Sequence, residues 1–403
     1  MTSIRRSDGD ADDAGAGREA AGAASGVVAP RVREITPGEA AGLRAAWSDL
    51  LGRAVEPNVM HGPDFLLPAL ETFAPDARLL VAERGEGAER RLVGVMAVSR
   101  PRLGFGLAPR LPAVFSNAYA PLGTPVIDAD GCDETLAALL GALARRDGAV
   151  VLRHLPLDGA FAAALERVAA AAGHRLEVVE SHARARLRGG PDGASFLRDH
   201  VRQKRRKEWR RLWRRLTEIA PIRTSVARGD DARAAFADFL ELETSGWKGR
   251  RHTALAQDTA VAEFAARVVD GLAECDGVVV DRIDRDDRPL AMLISFGVAG
   301  HWVSWKTAYD EDFAGFSPGV QVVLRATTRF LDDGGLVDVD SLAIEDHPLI
   351  DHVWSDRRRI GTVVVGFAAP PHVRLAVRFA VAEFGLHLAV RRFAGRLRRR
   401  LSR

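Results

Sequence analysis

The sequence predicts an α/β protein made of two similar mixed-sheet units, with a basic helical segment between them and an amphipathic helix at the C-terminus. Three observations predict it. Short β-rich runs alternate with helix-period runs, the order of these runs recurs about 200 residues later, and two stretches carry dense arginine on a helical period.

Size and composition bound the possibilities. A chain of 403 residues and 43.6 kDa is two or three domains long, and 47% hydrophobic residues supply real cores. No uninterrupted apolar run of about 18 residues occurs, which argues against an integral membrane protein. Cys132 and Cys275 are the two cysteines. They form no disulfide framework and no paired zinc spacing, so a reducing, cytoplasmic setting is expected. Residues 1–30 mix Ala and Gly with Asp8, Asp10, Asp12, Asp13 and Glu19 and offer no apolar core of a signal peptide; a disordered leader is expected there. The net charge is +3, yet residues 371–403 hold nine Arg against one acid, Glu383, a surplus of eight that leaves the rest of the chain near −5.

In order, the first unit opens with strands at 78–83 (RLLVAE) and 91–99 (RLVGVMAVS) about a polar turn. A helix at 133–145, a strand at 149–154, a helix at 159–172 and a closing strand near 175–179 follow. The second unit repeats this with strands at 277–283 (GVVVDRI) and 289–296 (PLAMLISF), a helix at 320–332, a strand at 336–342, a shorter helix at 347–357 and a closing strand near 362–366. An Ala-Tyr step leads into a Gly/Pro turn in both, at 117–123 (NAYAPLG) and 307–319 (TAYDEDFAGFSPG). The expected boundaries are 1–30 for the leader, 31–190 and 191–368 for the two units, and 369–403 for the tail.

Residues 193–274 read as mostly helical. Asp192 or Ser195 caps a helix in which Trp209, Leu212, Trp213, Leu216 and Ile219 recur at three- and four-residue steps, with Arg and Lys on the other face. Helices over 231–245 and 258–274 are joined by a Gly-broken basic loop, 246–256.

The stretch 305–324 (WKTAYDEDFAGFSPGVQVVL) is the most informative. A β run ends at Ala308, acids follow, and a turn of small residues opens an apolar helix. Such a turn offers unpaired backbone N–H groups and the positive end of the helix dipole, which suits a phosphate or pyrophosphate; it serves equally to start a helix. Pro318 presets φ at the first helical position. The turn is neither a GxxxxGK[ST] loop nor a GxGxxG fingerprint.

This stretch, the loop at 243–255 (ETSGWKGRRHTAL), the helix KRRKEWRRLWRRL and the later HPLIDHVW resemble the CelD-like and FemAB-like branch of the GNAT acyltransferases, over about residues 30–367. The resemblance implies two tandem GNAT folds. It implies acyl transfer to an amine from acetyl-CoA or another acyl-CoA, or, in the Fem branch, from aminoacyl-tRNA. The donor's pyrophosphate would lie on Gly315, Phe316, Ser317, Pro318, Gly319 and Val320, where the sequence departs from the widespread Q/R-x-x-G-x-G/A loop. The strand at 301–308 would polarise the thioester carbonyl. The acceptor it implies is an amino sugar or a polysaccharide or cell-envelope precursor.

Amide formation needs a neutral amine and favours an acid for the departing thiolate. Tyr309 at the strand end, Asp340 on the next strand and His347 in the loop after it are the candidates. Trp247, Lys248 and Arg250 form a candidate substrate-binding group, since an aromatic beside basic residues can stack on a ring and grip an anion; Lys306 is a further candidate for an anionic group. Metal chemistry finds no support in eleven scattered His. Nucleic acid is disfavoured because Trp209 and Trp213 fall on the apolar face. Leu386, Val390, Phe393, Leu397 and Leu401 form a stripe flanked by Arg, fit either for the surface of an anionic membrane, giving a membrane-peripheral protein, or for docking on the body. A non-catalytic scaffold of GNAT-like units is the rival reading, and an aminoacyl-tRNA-dependent ligase a third.

Overall fold

The computed structural model describes residues 29–401. The leader expected over 1–30 lies outside these residues, apart from its last two. In the first unit, β1 (Arg31–Ile35) leads to α1 (Pro37–Ala40), α2 (Arg44–Gly52) and α3 (Pro63–Phe73). Then come β2 (Arg78–Arg84), β3 (Arg91–Ser99), β4 (Ala113–Val114), β5 (Val126–Ile127), α4 (Cys132–Ala144), β6 (Ala149–Pro156), α5 (Ala160–Ala171) and β7 (Arg175–Arg188). After α6 (Gly193–His200) and α7 (Gln203–Ile219), the second unit follows the same order: β8 (Ile222–Ala227), α8 (Gly229–Ser245), α9 (Trp247–Arg250), α10 (Thr259–Ala273), β9 (Val278–Arg285), β10 (Arg288–Val298), β11 (His301–Tyr309), α11 (Pro318–Asp332), β12 (Asp338–Asp340) and β13 (Asp356–Gly366). Helix α12 (Pro371–Leu401) closes the described chain.

Local chemistry sets many of these limits. Thr36 and Glu39 form a reciprocal capping box at α1, Asp192 caps α6 by accepting from Ser195 N–H at 3.0 Å, and Asp258 caps α10. Asp286 and Asp287, both at positive φ, turn β9 into β10, and Ala299-Gly300 does the same between β10 and β11. Two sequence expectations change. Residues 193–274 are mostly helical as expected, with β8 pairing along β9 as an outer strand, but the one helix expected from Asp192 through Ile219 is broken at Val201-Arg202 into α6 and α7. Residues 347–357 hold one short turn at 350–352 instead of a helix, since Pro348 interrupts the segment and Asp356 onward is drawn into the ladder with β7.

All the strands join one sheet in the order β1-β2-β3-β4-β6-β13-β7-β12-β11-β10-β9-β8, with β5 beside β3. The closing strands are exchanged. β13, from the second unit, lies between β6 and β7, and β7, from the first, lies between β13 and β12. The β7–β13 ladder runs antiparallel from Arg186↔Asp356 to Arg175↔Gly366. Each unit is therefore completed by the other's strand, which the expectation of a strand closing its own copy did not anticipate.

On one face of the sheet α2 and α3 meet α8 and α10 in a shared core, where the Phe65 and Phe264 rings lie edge to face at 5.6 Å. On the other face α4 and α5 cover the first unit, while α7 and α11 cover the second. Trp209, Leu212 and Leu216 of α7 are buried there and Arg210, Arg211, Arg214 and Arg215 face solvent, as the periodicity predicted.

Candidate active site

The geometry starts with β11. It pairs with β10 along its length, but Ile294 opposes Lys306 while Ser295 opposes Ser304, so Trp305 is an extra residue in a β-bulge. The bulge turns Trp305 and Lys306 toward the same face, the one bearing α8 and α10. On its other edge β11 pairs in parallel with β12 only from His301↔Asp338 to Val303↔Asp340. Beyond Val303 the two strands part, leaving the 304–309 edge without a β12 partner.

Just past that opening, Asp310 accepts from Asp312 N–H at 3.0 Å and starts a 3₁₀ turn over 311–316. Ser317 sits at φ +54°, and Pro318 opens α11. Ser317 N–H bonds Ala314 O and Val320 N–H bonds Ser317 O, each at 3.0 Å, and Pro318 has no N–H. Gly319 N–H has no partner within the described chain and stands at the positive end of the α11 dipole. Gly315 and Phe316 flank it. A Cβ on Gly319 would stand 3.1 Å from the Tyr309 ring and 3.5 Å from Leu349, whereas one on exposed Gly315 would meet nothing within 4 Å. Two guanidiniums lie over the rings of this turn, Arg285 at 4.5 Å from Phe313 and Arg215 at 5.9 Å from Phe316.

Tyr309 is thus placed with the turn. His347 reaches it only through its loop: Nδ1 accepts from Leu349 N–H at 3.3 Å and Ile350 N–H at 3.4 Å, fixing the segment that lays Leu349 on Gly319. Burial holds the His347 pKa below the usual histidine value, which keeps that ring nitrogen an acceptor. Asp340 is placed elsewhere. Its carboxylate is buried at the junction of the units, 2.6 Å from Arg184 Nε and accepting from Arg184 Nη2 at 2.7 Å, with Arg358 at 3.4 Å. That is the surroundings of a structural ion pair.

The 246–256 loop docks on the same strand. Lys248 Nζ donates to Glu243 Oε1 at 2.7 Å and to the Thr307 carbonyl at 2.9 Å, while Glu243 Oε2 accepts from Leu255 N–H at 2.8 Å. Glu311 receives both Trp247 N–H and the Arg250 guanidinium. Lys248 and Arg250 therefore hold the loop to β11 and the turn, and Trp247 stays half exposed beside them. Lys306 lies 5.2 Å from the Tyr119 ring and makes no ion pair among the described residues; burial lowers its pKa, with Lys248 adding to the shift against Glu243. Tyr119 comes from the first unit. Its carbonyl accepts from Trp305 Nε1 at 2.9 Å and its ring stacks on Phe73 at 5.2 Å. Arg285 and Glu311 were not singled out by sequence, whereas Glu243, four residues before Trp247, and Tyr119, in the Ala-Tyr step at 117–123, were legible as parts of their motifs.

Among the described residues no cluster of His, Cys, Asp or Glu could hold a metal ion. Residues 203–347 match the family model described as the acetyltransferase (GNAT) domain. No curated protein matches the chain. In structure it is similar to FemX, at 12% identity and a TM-score of 0.54 over 83% of this chain and 96% of that one. It is also similar to a conserved protein of unknown function from Bacteroides thetaiotaomicron, at 10% identity and a TM-score of 0.51 over 83% and 99% of the two chains. A third likeness is to the C-terminal DUF2156 domain of a protein from Agrobacterium fabrum assigned as a lysylphosphatidylglycerol synthetase, at 10% identity and a TM-score of 0.52 over 85% and 95%. Over most of its length the chain shares the fold of these three structures. The match to the GNAT domain, residues 203–347, runs from α7 to the loop after β12 and so takes in β11 and the turn that opens α11.

Proposed function

We propose that this protein is an N-acyltransferase that moves an acyl group, acetyl in the simplest case, from acyl-CoA to an amine acceptor. The observation that carries the proposal is the parting of β11 from β12 after Val303, directly before the turn that opens α11. The gap would take the pantetheine arm along residues 304–309, and the pyrophosphate would meet Gly319 N–H, the α11 dipole, and Arg215 and Arg285. Leu349 would have to leave Gly319 as the donor enters, which gives the loop held by His347 the role of a cover.

The acceptor would bind on the other face of β11, between Lys306, Tyr119 and the Trp247 loop. Lys306, with its lowered pKa, would take the proton released when the amine attacks the thioester carbonyl; Tyr309 would protonate the departing thiolate. An amino sugar or a cell-envelope precursor suits a cleft that combines aromatic rings with cations.

The test is thermal unfolding with and without acetyl-CoA for the wild type and Gly315→Glu. Gly315 has room for a side chain, so the variant keeps the fold while setting a carboxylate where the pyrophosphate would lie. Ligand at about 100 times its dissociation constant stabilises the native state by about 2.7 kcal/mol. A shift lost in the variant supports the site. No shift with acetyl-CoA, longer acyl-CoA or free CoA would overturn the CoA reading in favour of aminoacyl-tRNA or a scaffold.

A further inference from the structure

Helix α12 carries two apolar faces. One packs on the sheet: Val377, Val381, Phe384 and Leu388 lie against Val151 and Val364. The other holds Leu375, Phe379, Leu386, Val390 and Phe393, each between 48% and 70% exposed. Their steps of four, seven, four and three confine them to roughly 60° of the helix circumference at about 100° per residue. The tail thus docks on the body and still presents an unpartnered stripe.

The loop before β4 widens that stripe. Glu383 accepts from Leu107 N–H at 2.9 Å and Ala108 N–H at 2.8 Å, and the Phe105 ring meets His387 edge-on at 4.9 Å. Leu107, 77% exposed, is held there beside the helix. Glu383 is the one acid of residues 371–403, and this contact turns it onto the backbone of the loop. At the helix start, Arg175, Arg374 and Arg378 line a cavity of about 690 Å³, and among the described residues neither Arg374 nor Arg378 forms an ion pair.

We propose that this face docks on the surface of an anionic lipid bilayer, with the stripe and Leu107 entering the interface and the arginines meeting lipid phosphates. An apolar stripe bordered by cations is the form of a helix lying in the interfacial plane, and no described helix is long and apolar enough to cross. A second copy of the chain is the poorer occupant. Pairing two such faces would bring two segments with nine arginines each together, whereas an anionic surface neutralises them. The proposal stands independently of the acyl donor.

The test is co-sedimentation of the full chain with phosphatidylcholine vesicles made with and without phosphatidylglycerol. Binding is expected on the phosphatidylglycerol vesicles and at least about tenfold weaker on phosphatidylcholine alone. Leu386→Glu with Phe393→Glu should lower binding at least about tenfold with an unchanged melting curve, because both side chains face solvent. Arg374→Gln with Arg378→Gln should reduce the preference for phosphatidylglycerol, and Arg210→Gln with Arg214→Gln on α7 should leave binding as in the wild type. Loss of binding in the α7 variant with none in the stripe variant would overturn the proposal. So would absence of vesicle binding together with a dimer, seen by sedimentation velocity, that the stripe variant abolishes.

Discussion

Arg184 on β7 and Asp340 on β12 form a buried ion pair across the junction of the two units, each side chain 2% exposed, with Nη2 donating to Oδ2 at 2.7 Å. Arg358 of β13 approaches the same carboxylate, so one aspartate ties both exchanged strands to β12. Asp340→Asn would leave the Arg184 guanidinium buried without its anion, while Arg358 keeps Asp338 at 3.0 Å, and breaking such a pair costs about 3–5 kcal/mol. Urea unfolding should show the unfolding free energy falling by that amount and the midpoint moving to lower urea, while whatever fraction remains folded keeps its activity.

The exchange of β7 and β13 makes the units interdependent. A fragment of residues 29–190 would carry β6 without β13 beside it and β7 without either of its neighbours, β13 and β12, exposing three unpaired edges. Expressed alone it should aggregate. The intact chain should unfold in one transition by calorimetry, without a separate step for each unit.

Lys306 and Tyr309 divide the proposed chemistry between two faces of β11. Lys306→Met keeps the length of a half-buried side chain that makes no ion pair among the described residues, so the melting temperature should hold while kcat/KM for amine acylation falls at least about tenfold. Tyr309→Phe keeps the ring against Gly319 and deletes only the hydroxyl. Its signature should be a lower kcat with KM for acyl-CoA nearly unchanged, read in a thiol-release assay.

Buried His61 and half-buried His154 set an acid limit on stability. Burial lowers the pKa of His61 to about 4 and that of His154 to about 3, in the latter case with Arg153 adding to the shift. The unfolded chain, with histidines near 6.5, binds more protons than the native state below that pH, so stability is complete above about pH 6.5 and is lost as pH falls toward 4. For His61 the loss is on the order of 3 kcal/mol. Melting curves taken across that range should steepen in the wild type and flatten in His61→Gln, whose amide can still donate to the Phe115 carbonyl that His61 Nε2 contacts at 3.1 Å.

Much of the fold was legible because its signals are local. The run RLVGVMAVS became β3 with the same bounds, and Asp192 became a cap, though of α6 and not of the helix that holds Trp209. β8 escaped notice because IRTSVA is an outer strand with four exposed residues in a row, so burial imposes no period-two pattern on it. The turn at Ser317-Pro318 was legible from its residues. Its cover was not, since Leu349 meets Gly319 only through a loop some thirty residues on.

The sequence by itself determined that the chain is a duplicated α/β protein, where its helices and most strands lie, and that 305–324 is the segment to watch, because hydrophobic period and turn chemistry act between near neighbours. Tertiary structure alone decided that the closing strands trade places, that Asp340 is a junction ion pair while Lys306 is turned toward Tyr119, and that α12 leaves a second apolar face uncovered. Those outcomes depend on contacts between residues far apart in the chain. A carboxylate's role, in particular, follows from the charges that share its burial, and these are fixed only when the strands meet.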